Sequence, residues 1–151
     1  MSDEEKMQID EYEKMWANDS KIDETNLIRE SSRIPELHAK YYKLYHRAVM
    51  KTVKLKHEMK ELERAKTEYY TGTMAEEDLK KHGWKPNPLK IMKSEVSRYI
   101  DTDSDVIRLS LQIEYYASIA KFLEDCVRHI NTRNFIIKNM VELMRFQSGG
   151  Y

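Results

Sequence analysis

Residues 109–144 read LSLQIEYYASIAKFLEDCVRHINTRNFIIKNMVELM, and this stretch determines the fold. It contains no Pro or Gly, so it predicts one long helix that runs from about Asp103 to about Gln147. Apolar residues recur along it at alternating spacings of four and three, which is a heptad seam. The seam residues that we expect to mediate oligomerisation are Leu109, Ile113, Tyr116, Leu123, Val127, Ile130, Ile137, Val141 and Met144.

A second apolar seam lies one residue earlier on the same helix, from Tyr115 to Leu143. Two adjacent seams make a face that is wider than a simple dimer needs, and such a face can contact helices on both sides, as in a homo-oligomeric bundle or ring. Alternatively, the face packs only against the chain's own earlier helices. Both arrangements can occur in one molecule. A helix of about 45 residues spans about 65 Å, which is longer than the rest of such a small chain could easily cover. His129 and Arg133 interrupt this second seam, and we expect them at its solvated edge or paired with acids of another subunit.

The composition fits an all-α fold with two long helices and several short ones. The chain has 151 residues, of which only four are Gly and three are Pro. Lys and Arg together number 26, the same as Asp and Glu, so net charge indicates no partner. The single cysteine, Cys126, excludes an intramolecular disulfide and fits a reducing compartment. No stretch of about 18 apolar residues predicts a membrane span.

A second long helix is predicted from Pro35 to about Tyr70, with Gly72 ending it. Shorter helices are expected over four further segments: Glu4–Trp16, Asp23 to about Ile34, a Thr73/Glu76 capping box to His82, and Ile91–Tyr99. The sequence Lys-Pro-Asn-Pro at residues 85–88 is the clearest linker. We therefore divide the chain into an N-terminal helical region (1–84), a linker (85–90) and a C-terminal oligomerisation region (91–151).

The helix that begins at Pro35 carries a basic stripe. At 100° per residue, five cations fall within an arc of about 80°; we define the basic stripe as Lys40, Lys43, Arg47, Lys51 and Lys54. Tyrosines are interleaved with it, and aromatic rings beside cations can stack unpaired bases while the cations contact phosphates. The pattern predicts single-stranded DNA binding that is largely independent of sequence, so we expect residues 1–84 to be the DNA-binding region. Two alternatives are a solvated lysine face whose tyrosines fill the core, and an intramolecular partner, the acidic segment Asp3–Glu36, which could compete with DNA.

No set of residues forms a credible catalytic or metal site. Asp101-Thr-Asp-Ser-Asp105 resembles the start of a calcium loop, but Val106 stands where Gly is needed and Gln112 where the bidentate Glu belongs. These acids suit the capping of the following helix instead. Cys126 lies in an apolar seam, where a packing role is expected. We therefore expect no enzyme activity, no metal and no cofactor.

Three segments carry a family resemblance: LERAKTEYYTG at residues 62–72, KSEVSRYI at 93–100 and INTRNFIIKN at 130–139. Together, in this order, they resemble the UvsY-type recombination mediators of T4-like phages. The resemblance covers most of the chain from about Ile22. In that family the basic–x–basic pair within the first segment contributes to DNA binding, which implies the same role for Arg64 and Lys66, and we add the neighbouring Tyr69. The order of the two basic residue types is reversed here.

The resemblance implies a hexamer or heptamer that binds single-stranded DNA in the cytoplasm of the infected bacterial host. It also implies contact with the phage single-strand-binding protein and with a RecA-like recombinase of the UvsX type. Such a mediator helps to displace the former and load the latter. The alternative that the residues leave open is a helical oligomeric adaptor or scaffold protein with no nucleic-acid role.

Overall fold

The computed structural model of the chain describes residues 3–149, and the side chains of residues 8–149. This part of the chain forms helices and no β-strand, so the predicted all-α class with two long helices is confirmed. In chain order the helices are α1 (Asp3–Asp19), α2 (Leu27–Ser32), α3 (Ile34–Thr71), α4 (Glu76–His82), α5 (Val96–Asp101) and α6 (Ser104–Gln147).

The helices belong to two compact units. The first unit holds the residues up to Met50 together with those from Tyr116 onward, and the second holds Lys51–Tyr115. Both α3 and α6 contribute residues to each unit. The boundaries of these units differ from the expected division at residues 85–90. That division separated the chain by function rather than by packing, and it stays a prediction.

The core of the first unit forms between α6 and the helices that precede it. Its most deeply buried side chains are Tyr41, Leu123, Cys126 and Ile130. The ring of Trp16 in α1 meets Tyr41 edge-on, with 5.0 Å between ring centroids. The apolar face of α6 is therefore covered by the chain's own helices along its middle, the arrangement that the intramolecular alternative predicted.

The core of the second unit is smaller. Val96 and Ile100 of α5 and Val106 of α6 are buried together. Partly buried apolar side chains pack around these three, and they are Met59, Leu62, Tyr70 and Ile91. The C-terminal half of α3 is thereby held against α5 and the beginning of α6.

The ends of the long helices agree with the sequence. Gly72 follows α3 with a φ of 75°, in the left-handed region that an L side chain rarely adopts. Asp103 caps α6, because its Oδ1 accepts the N–H of Asp105 at 2.9 Å. The expectation that the acid-rich turn caps the last helix is correct.

The caps and limits of the short helices differ from the predictions. Asn26 caps α2, accepting the N–H of Arg29 at 3.1 Å, whereas Asp23 forms a separate turn with Thr25. The predicted capping box of α4 is wrong, because the N-cap is Ala75 and no side chain caps it. The helix α1 continues to Asp19 rather than ending at Trp16, and α5 spans Val96–Asp101 rather than 91–99.

Across residues 3–149, none of the helices has an apolar stretch long enough to cross a membrane.

Candidate nucleic-acid interface

In the first unit the basic stripe begins with a cation that is already paired. The Lys40 ammonium lies 2.6 Å from the Asp19 carboxylate, although the Lys40 side chain remains 43% exposed. Lys43 and Arg47, one and two turns further along α3, are exposed and make no ion pair with any residue that the structure describes. These two cations are therefore available to an anionic ligand.

Asp19 belongs to the acidic N-terminal segment and joins α1 to α3. Its carboxylate also accepts the hydroxyl of Tyr41 at 2.9 Å. Burial alone would raise the pKa of Asp19, but the hydrogen bonds from Lys40 and Tyr41 outweigh burial and hold that pKa below its usual value of 3.8. The carboxylate is thus charged at neutral pH. Within residues 8–149, the intramolecular partner considered from the sequence meets the stripe at Lys40.

The other two stripe residues lie in the second unit. Lys51 and Lys54 are both exposed. The Lys54 ammonium lies 4.0 Å from the Glu58 carboxylate, and its side chain is 71% exposed. Exposed pairs of this kind contribute about 0–1 kcal/mol, so Glu58 does not prevent Lys54 from meeting a phosphate.

The basic–x–basic pair is split between two environments. Arg64 is exposed on α3. The ammonium of Lys66, in contrast, is buried and lies 3.0 Å from Asp103 and 2.9 Å from Asp105. It also lies over the ring of Trp84, 4.0 Å from its centroid. Lys66 therefore holds together the second unit, and its positive charge is compensated within the chain.

The tyrosines next to this pair extend the same cluster. The hydroxyl of Tyr70 donates to Asp103 at 2.6 Å, and that of Tyr69 donates to the backbone carbonyl of Lys85 at 2.8 Å. Burial, followed by the hydrogen bond to Asp103, raises the pKa of Tyr70. Burial alone would raise the pKa of Asp103, but the hydrogen bonds from Tyr70 and Lys66 hold it below 3.8. Tyr69, proposed from the sequence as a DNA contact, is half-buried against Trp84.

The remaining tyrosines of α3 face different surroundings. Tyr41 has no exposed surface and belongs to the core, whereas Tyr42 is 52% exposed. Tyr42 lies between two histidines, His38 and His46, whose rings are nearly parallel to its own. Sequence reasoning passed over both histidines, although their positions four residues before and after Tyr42 place all three on one side of the helix.

The proposed oligomerisation residues fall into three groups within the single chain. Leu123, Ile130 and Ile137 are buried. Four others are partly buried, and these are Leu109, Ile113, Tyr116 and Val127. Val141 and Met144 are 39% and 40% exposed, and every residue from 141 to 149 is exposed. Among the proposed oligomerisation residues, the exposed ones therefore lie at the C-terminal end of α6. Other apolar residues of this helix are exposed as well, and these are Ile107, Leu111, Phe135 and Ile136.

Arg133 corrects a prediction about the second seam. It is buried, and its guanidinium donates to Glu30 of the same chain at 2.6 Å and to the carbonyls of Ser20 and Lys21. It was expected at a solvated edge or against another subunit.

Burial raises the pKa of the Cys126 thiol to about 12, so Cys126 is a protonated packing residue.

The fold and the exposed side chains together indicate a class of protein. An all-helical chain that exposes cations next to an aromatic ring on one helix presents the kinds of side chain with which proteins bind single-stranded nucleic acids. Residues 15–150 match the family described as recombination, repair and ssDNA binding protein UvsY. The chain therefore belongs to the UvsY family.

Individual relatives agree with this assignment. The recombination protein uvsY of Enterobacteria phage T4 is 20% identical over 143 residues, which are 95% of this chain and 99% of that protein. One crystal structure of the bacteriophage T4 recombination mediator protein UvsY matches with a TM-score of 0.74 at 19% identity, covering 91% of this chain and 97% of that one. A second crystal form matches with a TM-score of 0.73 at 20% identity, covering 92% and 96%. The fold is shared at low identity.

Proposed function

We propose that this member of the UvsY family is a recombination mediator. It binds single-stranded DNA and promotes the loading of a RecA-like recombinase in place of the single-strand-binding protein, and it does so without catalysing a reaction. The observation that carries the proposal is the pair of exposed, unneutralised cations Lys43 and Arg47 on a helix segment, residues 37–57, that contains no acid. The T4 relatives named as a recombination protein and a recombination mediator support the same role.

The binding mode follows from the side chains that are available. Lys and Arg on a helix surface contact phosphates, and each contact releases counterions from the strand. Such contacts carry no sequence information, which suits a protein that acts wherever single strands are exposed. The DNA-binding residues remain those of the basic stripe and Arg64. Lys66 and Tyr69 serve this surface indirectly, by fixing the part of α3 on which Arg64 lies.

The mediator acts as an assembly of identical copies, a hexamer or a heptamer. The support for assembly is the apolar end of α6, where the side chains of Val141, Leu143, Met144 and Phe146 are between 39% and 82% exposed in a single chain. An apolar helix end of this kind is stabilised when a second copy covers it. Several copies of the stripe in one particle would engage one strand at several points and raise the apparent affinity.

A titration of fluorescent oligo-dT at several salt concentrations tests the DNA-binding surface. Charge reversal at an exposed contact should weaken binding and lower the slope of log K against log salt by about 0.7 for each lost contact. Arg47→Glu and Arg64→Glu should both show this effect. Arg128→Glu is the matched control, because Arg128 is an exposed arginine of α6 that pairs with Asp125. Equal slopes for all three variants and the natural chain would contradict the assignment.

The loading step needs a separate measurement. Filament formation by the recombinase is followed on single-stranded DNA that the single-strand-binding protein already covers. Adding the natural chain should shorten the lag before filament growth, and Arg47→Glu should shorten it less. A chain that binds oligo-dT yet leaves the lag unchanged would be a single-strand-binding protein without mediator activity. A chain that binds no oligo-dT would fit the adaptor alternative.

A further inference from the structure

The exposed side of α3 in the first unit carries a ladder of rings, which we define as His38, Tyr42 and His46 (the ring ladder). The centroids of His38 and Tyr42 are 5.7 Å apart, and those of Tyr42 and His46 are 6.5 Å apart. The interplanar angle is 12° in both pairs. Tyr45 adds a tilted ring 6.3 Å from Tyr42. One ring per helical turn, with all three planes nearly parallel, makes an ordered aromatic surface.

The ladder contributes little to the core. The residues of this helix that are buried in the first unit are Leu37, Tyr41 and Ala48, and they lie on another face. Tyr42 is 52% exposed and His46 is exposed, while His38 is partly exposed. Rings four residues apart on a helix stabilise it by only about 0.2–0.5 kcal/mol per pair. Stability therefore gives a weak reason for keeping three rings at this surface.

The charges around the ladder indicate what it binds. At 100° per residue, His46 and Lys43 are adjacent on the helix surface, and Arg47 follows one turn beyond Lys43. Between the ladder and these cations lies only the small side chain of Ala39, with the exposed Met50 beyond it. No acid occurs from residue 37 to residue 57. A ligand on this face can thus place flat apolar groups on the rings and phosphates on the cations at the same time.

We propose that the ring ladder is a base-stacking site for unpaired nucleotides, with Tyr42 at its centre, and that Lys43 and Arg47 hold the phosphates of the same strand. The inference rests on the proposed single-stranded DNA binding and assigns the base contacts within it. Every base offers a flat π-face, so stacking on these rings adds affinity without selecting a sequence. It also explains a preference for single strands, because paired and stacked bases in a duplex cannot reach a side chain on a helix surface.

The experiment separates stacking from charge. Tyr42→Leu keeps an apolar side chain that favours helix but removes the π-face, and Tyr42→Phe keeps the π-face. In oligo-dT titrations, Tyr42→Leu should lower affinity about 10-fold at every salt concentration, as expected when one stacking partner is removed. Its slope of log K against log salt should equal that of the natural chain. Tyr42→Phe should bind almost normally. Arg47→Glu should show the opposite pattern, a reduced slope.

A strand of the same length without bases provides the second measurement. The natural chain should bind the abasic strand at least as weakly as Tyr42→Leu binds oligo-dT, because the abasic strand loses stacking on all three rings. Tyr42→Leu should bind the abasic strand no worse than the natural chain does. Equal affinity of the natural chain for both strands, or an unchanged affinity of Tyr42→Leu for oligo-dT, overturns the stacking site while salt-dependent DNA binding stands. Absence of any binding by the natural chain overturns the proposed function as well.

Discussion

At the scale of single residues, lysines on the same helix differ in what their charge is available for. Lys43 is exposed, whereas the Lys66 side chain is only 6% exposed and faces two carboxylates. A buried cation is tolerated only when nearby acceptors compensate its charge, and Asp103 and Asp105 do so here. These acids are 37 and 39 positions away in sequence, so the segment 62–72, whose resemblance implied that Lys66 and Arg64 both bind DNA, could not show that Lys66 is buried against them.

This difference gives a prediction for Lys66. Lys66→Met keeps the volume of the side chain but leaves two carboxylates close together without their cation. Breaking a buried ion pair in this way costs about 3–5 kcal/mol. The free energy of unfolding in urea should fall by that amount. The fluorescence of Trp84, whose ring contacts the Lys66 ammonium, provides a local probe of the second unit.

Arg64→Met is the matched control for this variant. Arg64 is exposed, so its replacement should change the free energy of unfolding by less than about 0.5 kcal/mol. It should instead lower the salt slope of oligo-dT binding, by about 0.7 if one phosphate contact is lost. If Lys66→Met were instead as stable as the natural chain but had a lower salt slope of oligo-dT binding, Lys66 itself would contact DNA.

At the scale of helices, the long elements were predictable and the short ones were not. Helix α3 was expected from Pro35 to about Tyr70 and spans Ile34–Thr71, because periodicity and the absence of breakers are local properties. Helix α5 begins at Val96 rather than near Ile91. The backbone N–H of Ile91 donates to the carbonyl of Tyr70 at 3.0 Å, which joins residue 91 to the end of α3. That bond is tertiary and has no signature in the sequence.

The same reasoning explains the false capping box before α4. The backbone N–H of Thr73 donates to the carbonyl of Glu68 at the end of α3. The Thr73 hydroxyl lies 3.4 Å from that carbonyl, so Thr73 finishes the preceding helix instead of starting the next one. The candidate site shows a similar limit. Helical spacing correctly predicted an exposed position for Lys43 and Arg47, but it could not predict that Asp19 would pair with Lys40.

Helix α1 therefore offers a test of competition with DNA. Asp19→Asn removes the charge that holds Lys40 and should free this lysine for a phosphate. The affinity for oligo-dT should rise by up to about fivefold, since a partly exposed ion pair contributes no more than about 1 kcal/mol. The salt slope should become steeper as one more counterion is released. The measurement is the same fluorescence titration that tests the stripe.

Asp10→Asn controls for the change in net charge. Asp10 is an exposed acid of α1, and its replacement alters the charge of the chain by the same amount as Asp19→Asn. It should leave the affinity nearly unchanged at 0.15 M salt, where the Debye length is about 8 Å and distant charges are screened. Equal effects of both variants would mean that total charge, rather than the Asp19–Lys40 pair, governs binding.

At the scale of the whole molecule, the seams of α6 are used in two ways. In their middle portion, from Ile119 to Ile137, most apolar seam residues are buried or partly buried within one chain, while Ile136 is 45% exposed. Beyond Ile137, Met140 is partly buried and every residue from 141 to 149 is exposed, so the apolar side chains of this terminal portion face solvent. Sequence periodicity runs through both portions without a break, so it could not show where packing within the chain ends. We assign assembly of the copies to the terminal portion.

The assignment predicts that acids on the terminal portion dissociate the particle. The double variant Val141→Glu, Met144→Glu places two charges on the exposed apolar side of α6, where burial against another copy would cost several kcal/mol per unpaired ion. Native mass spectrometry should show monomers or small species in place of a hexamer or heptamer. Asn131→Glu is the control, because Asn131 is an exposed polar residue of α6 that precedes Val141 by almost three helical turns and should not disturb assembly. Dissociated copies should also bind long oligo-dT more weakly than the particle, while binding to an oligonucleotide short enough for one copy stays the same. If the mass of the particle were unchanged, the copies would instead contact one another through the partly buried part of the seam, between Leu109 and Val127.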